Sequence, residues 1–106
     1  MNTLTFNASD WSGDVVTATV TDLGYGESKV IYKGEQFEAS QYESKYEGET
    51  LYEACDLTCE GRLIASAVKC GREWVAADSG SDIGGELTRE DDNPIVALLQ
   101  VASNIM

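Results

Sequence analysis

Apolar and polar residues alternate with two different periods along the chain, and the period changes near residue 40. Leu4 and Phe6 fall on one face of a short extended stretch at residues 3–6. Residues 9–13, Ser-Asp-Trp-Ser-Gly, read as a turn. Residues 15–21, Val-Val-Thr-Ala-Thr-Val-Thr, are β-branched almost throughout and predict a strand. Gly24 and Gly26 mark a turn, residues 29–32 a returning strand, and residues 36–38 an edge.

Beyond this point the spacing suggests helices. Ser40 followed by Glu43 has the form of a capping box. A helix over residues 41–47 puts Tyr42 and Tyr46 on one side, and Gly48 ends it. A second helix over residues 49–60 gathers Glu49, Glu53, Asp56 and Glu60 into one stripe at roughly 100° per residue, with Leu51, Tyr52, Cys55 and Cys59 on the other side. Leu57 fits neither side. Like charges four apart weaken such a helix by roughly 0.2–0.5 kcal/mol per pair, which argues that the stripe has a use.

Residues 62–69 and 73–77 then read as a hairpin about a tight turn at Cys70-Gly71-Arg72. Residues 79–93 read as an exposed Gly-, Ser- and acid-rich loop. Asp92-Asn93-Pro94 is a cap with proline at the first helical position. Ile95, Val96, Leu98, Leu99, Val101, Ala102 and Ile105 then make a broad apolar helix face, opposite Gln100, Ser103 and Asn104. The expected fold class is α+β: an antiparallel sheet of about four to five strands with two or three helices, the C-terminal helix packed on the sheet. At 106 residues the chain is one domain, residues 1–106.

Charge sharpens this picture. The net charge is −12. Residues 35–60 hold eight carboxylates against Lys45, a surplus of seven, and residues 78–92 hold six against Arg89, a surplus of five. The remaining residues balance, five acids against five bases. Such blocks mark partners more than folds. They repel nucleic acid and anionic membranes, which argues against either as a direct partner, and they suit a basic protein. No basic region followed by an apolar run marks an export signal. Three cysteines, an odd number, suggest reduced thiols in a cytosolic setting.

Candidate chemistry is sparse. Without histidine the usual serine and cysteine triads are absent, and no enzyme activity is expected. Cys55, Cys59 and Cys70 lack the spacing of a thiolate zinc site. Asp78, Asp82 and Glu86 do not meet the EF-hand pattern. A glycosidase-like carboxylate pair has no evident cleft. Residues 79–85 lack the Lys-Ser/Thr ending of a phosphate loop. Neither a cofactor nor a metal is expected.

Residues 36–46, Gln-Phe-Glu-Ala-Ser-Gln-Tyr-Glu-Ser-Lys-Tyr, resemble the middle of a small acidic phage anti-CRISPR family that inhibits type I-F surveillance complexes. The likeness runs over residues 34–46, with a weaker echo at residues 69–74. It implies a phage-encoded DNA mimic acting in the bacterial cytoplasm. Its acids would occupy the basic site where a Cas protein of a type I complex reads the motif flanking its target. Glu43 matches an acid of that kind and Glu38 one beside it, whereas Ala39 and Ser44 stand where the family has further acids. The expected partner-binding set is Glu38, Tyr42, Glu43, Glu47, Glu49, Glu53, Asp56 and Glu60. An immunity protein for a nuclease toxin, an anti-restriction protein, or a small calcium-binding or structural protein are the alternative expectations.

Overall fold

The computed structural model describes residues 2–78, 88–91 and 93–105. The chain is mostly β. Seven strands and a short eighth form one antiparallel meander in sequence order: β1 (Thr3–Ser9), β2 (Val15–Gly24), β3 (Glu27–Tyr32), β4 (Glu35–Tyr46), β5 (Glu49–Cys59), β6 (Arg62–Cys70), β7 (Glu73–Asp78) and β8 (Thr88–Asp91). The single helix among the described residues, α1 (Pro94–Ile105), packs in the hollow of the curled sheet. It lies over β6 and β7 and also touches β1 and β8, so the sheet bends around it as a half-barrel.

The expected α+β class is therefore overturned, and with it both helices over residues 41–47 and 49–60. Those residues are the two longest strands, β4 and β5. Ser40 caps nothing; its hydroxyl donates to the Glu27 carboxylate across the β3–β4 ladder at 2.6 Å. Residues 36–38 are no edge either, because β4 is flanked by β3 and β5. Most of the expected loop at residues 79–93 lies outside the described residues, but residues 88–91 form strand β8 against β7.

Gly48 explains the misreading of the hairpin. Both a helix C-cap and the second central position of a two-residue hairpin turn require positive φ. Here Glu47 and Gly48 both have positive φ, 52° and 82°, and close the β4–β5 hairpin. The preceding residue, not the glycine, separates the two cases.

The core follows from strand alternation. Ala18, Val20, Val30, Tyr32, Phe37, Ala39, Cys55, Leu57, Ala65, Ala67, Trp74 and Ala76 face the concave side and are buried. Ala97, Leu98, Leu99, Val101 and Ala102 of α1 meet them, each fully buried. Where the helix crosses β6 and β7 the sheet offers Ala65, Ala67 and Ala76, small enough to admit the helix backbone closely. The cap read from the sequence is present: the Ile95 amide donates to Asn93 Oδ1 at 2.9 Å. The convex side of the sheet is covered by no other described element.

Two polar ties fix the β1–β2 connection. Asp10 accepts from Lys33 Nζ at 2.9 Å and from the Asp14 amide at 2.9 Å. The Trp11 amide donates to Ser103 Oγ at 2.8 Å, joining this connection to the last turn of α1. Tyr32, fully buried, donates its hydroxyl to the Ala8 carbonyl at 3.2 Å.

Candidate functional site

The β4–β5 hairpin outgrows its neighbours. The β3 ladder reaches β4 only at residues 35–40, and the β6 ladder reaches β5 only at residues 54–59. Beyond them residues 43–53 pair only with each other, forming an arm that ends at Glu47-Gly48. An isolated two-stranded ribbon is marginal in water. This one is stiffened at its root, where the Gln41 amide donates to the Gly26 carbonyl at 2.8 Å.

The two faces of the arm differ. Residues opposite each other in register share a face, and Tyr42 faces Ala54 while Ser44 faces Tyr52. Tyr42, Tyr52 and Tyr46 therefore form an aromatic strip on the convex side. They are 45%, 45% and 65% exposed, and Leu51 beside them is 63% exposed. The strip continues along the convex side into Ala54 and Val68.

The concave side of the arm holds Glu43 directly opposite Glu53. Like charges in that position oppose pairing. Lys45 lies 3.6 Å from Glu43, and Lys69 of β6 lies 3.2 Å from Glu53, so each carboxylate has its own cation.

The eight expected contact residues do not form one stripe. Glu38, Tyr42, Glu49 and Asp56 lie on the convex side, by register with Thr58, Ala54, Tyr46 and Ser40 respectively. Glu43 and Glu53 lie on the concave side. Glu47 and Glu60 occupy the two-residue turns at the opposite ends of β5. Spacing of three separates faces in a strand, and so Glu53 and Asp56 part company. Glu38 stands directly opposite Lys29 on the β3–β4 ladder; among the described residues, no Lys or Arg bridges Glu47, Glu49 or Glu60. Asp56 accepts from Ser66 Oγ at 2.8 Å. Partial burial, then the Asp56 carboxylate, pushes the Tyr42 phenol up from its ordinary range.

Other chemistry finds less support. Cys55 is buried and its thiol is pushed up to about 12, by burial first and then by Asp56 and Glu27; such a thiol is inert. Cys59 is half-buried and Cys70 exposed, and all three are free. Among the described residues, no three His, Cys, Asp or Glu side chains gather as metal ligands. The calcium expectation at Asp78, Asp82 and Glu86 rests largely on residues outside that set. The open mouth of the half-barrel is lined by Leu4, Val20, Asp22, Ser28, Gln41 and Ile95, and Asp22 is engaged there with the Gly24 amide at 2.8 Å.

No family model, curated protein or solved structure matches the chain. The anti-CRISPR resemblance therefore rests on its short motif, and the residues carrying that motif lie in strand β4.

Tyr42 belongs to the expected contact set; what the sequence reading missed is the strand pairing that puts Tyr46 and Tyr52 on the same face with it. The available signal was the Xaa-Gly pair at residues 47–48, which repeats the pattern of Tyr25-Gly26, Lys33-Gly34 and Glu60-Gly61.

Proposed function

We propose that this chain is a non-enzymatic binding protein whose β4–β5 arm occupies the nucleic-acid site of a basic protein. The observation that carries the reading is the convex face of the arm: three exposed tyrosines bordered by Glu47, Glu49 and Asp56, which no lysine or arginine bridges among the described residues. Exposed aromatics at the centre of a patch are typical anchors of protein contacts. Surrounding carboxylates steer the protein toward clustered Lys and Arg and supply the charge that phosphates would otherwise bring. The contact set on this reading is Tyr42, Tyr46 and Tyr52 with Glu38, Glu47, Glu49 and Asp56. Glu43 and Glu53 face the other way and serve the hairpin.

The motif resemblance makes a Cas protein of a type I CRISPR surveillance complex the first target to try, in the cytoplasm of an infected bacterium. The test is displacement of labelled duplex DNA from a purified complex. The wild-type chain displaces DNA. Combined Glu38→Lys, Glu47→Lys and Glu49→Lys substitution, or Tyr42→Ala with Tyr52→Ala, weakens displacement by about tenfold or more. Glu43→Gln with Glu53→Gln changes it little. Unaltered displacement by the convex-face variants sinks the assigned face. No displacement by the wild-type chain sinks the CRISPR target, and a panel of nuclease toxins then tests an immunity role.

A further inference from the structure

We infer that β1 is the pairing edge of a symmetric dimer, joined by a second copy of β1 running antiparallel to it. The Asp22 amide donates to the Asn2 carbonyl, which fixes the even residues of β1 as those bonded to β2. The amides and carbonyls of Thr3, Thr5 and Asn7 therefore point away from β2, along a sheet edge that no described strand pairs with. All three residues are exposed.

Natural sheets guard such edges with charge, proline or a bulge. Strand β1 has none of these. Residues 3–9 hold no charged residue and no proline, and their pairing with β2 runs without a register break. Residues 15–21 of β2 are uncharged as well. The opposite edge, β8, reads Thr-Arg-Glu-Asp. In a chain of net charge −12 the neutral edge is the exception.

The strand is self-complementary. A two-fold axis through Thr5 bonds Thr5 to Thr5 of the partner subunit and Thr3 to Asn7 of the partner subunit. Every outward amide and carbonyl of those residues then has a mate. The same register sets Leu4, 66% exposed, beside Phe6 of the partner subunit, extending the concave core across the joint. The acidic arms stay apart: strands lie about 4.8 Å from their neighbours, so the two β4 strands stand roughly 30 Å apart, well beyond the screening length of about 8 Å at physiological salt.

Sedimentation velocity and light scattering on the full chain test this. At about 100 μM and physiological salt the mass is expected to be twice 11.5 kDa, falling to the monomer on dilution. Thr5→Pro removes an amide that β2 does not use, so the fold survives and the mass halves. Thr5→Lys, which keeps the amide and adds charge, gives the same result and serves if the proline variant fails to fold. A monomeric wild-type chain overturns the inference. A dimer that persists in a folded Thr5→Pro or Thr5→Lys chain overturns it too, because the joint then lies elsewhere.

Discussion

Asp10 shows how much one side chain organises. Its Oδ2 takes Lys33 and its Oδ1 takes the Asp14 amide, so one carboxylate closes the β1–β2 connection and ties it to the β3–β4 turn. The Lys33 hydrogen bond outweighs the opposing effect of desolvation, and the carboxyl lies below its ordinary 3.8. A depressed folded value means a contribution that is complete above 3.8 and lost as the pH falls through the lower folded value. The difference in melting temperature between wild type and Asp10→Asn is expected to be full at neutral pH and to close below pH 3.8. A gap that stays open in strong acid contradicts this. The thiols make a second test at the same scale. Cys70 is expected to react at once with a thiol reagent in the native protein, and Cys55 only on unfolding. The sequence already separated the two, placing Cys55 on the apolar side of its element and Cys70 in a tight turn, although the element that buries Cys55 is a strand and not the expected helix.

Elements were ambiguous because four is a multiple of two. Residues four apart share a face in a helix and in a strand alike. Tyr42 and Tyr46, and Cys55 and Cys59, therefore satisfy both periods, whereas the register break at Ser44/Lys45 puts Glu49 and Glu53 on opposite faces; the capping-box form of Ser40 and Glu43 favours helix. Leu57, which fitted neither side of the expected helix, was the discordant residue; it is fully buried on the concave face. Phe37 and Ala39 carried the period-two signal into β4, but it fades along the arm because no core lies beneath it. The turn residues are as exacting as the strands. Gly26 has a φ of 79°, and a Cβ there would run into the Gln41 backbone carbonyl. Gly26→Ala is expected to cost about 1–3 kcal/mol through backbone strain and the clash together, read as a lower midpoint in urea. Gly48→Ala meets nothing within 4 Å and is expected to cost less. Equal losses at the two sites would remove the argument from close approach.

At the scale of the whole molecule the charge has two opposed effects. Surplus carboxylates on β4 and β5 make the arm a polyanion, and they also repel one another in the compact state. Raising ionic strength from about 0.01 M to 1 M shortens the screening length from about 30 Å to about 3 Å. Thermal melts across that range are expected to show a rising melting temperature in sodium chloride, while binding to a basic partner weakens. A melting temperature that falls with salt would mean that the ion pairs at Asp10, Glu43 and Glu53 matter more than the general repulsion. The curl of the sheet adds a further consequence: one helix covers the concave face, and among the described elements none covers the convex face with its exposed tyrosine strip.

The sequence alone determined the location of the surplus charge, the β1–β2 and β6–β7 strands, the capped C-terminal helix and its apolar face, because each is a local pattern with one period or one turn chemistry. Tertiary structure decided the rest. Whether residues 41–60 coil or extend depends on the ladders that root β4 on β3 and β5 on β6, which lie outside any local window and from which the arm continues as a hairpin. Which acids stand free and which meet Lys45 or Lys69 depends on the register of those pairings, since one residue of shift moves every side chain to the other face.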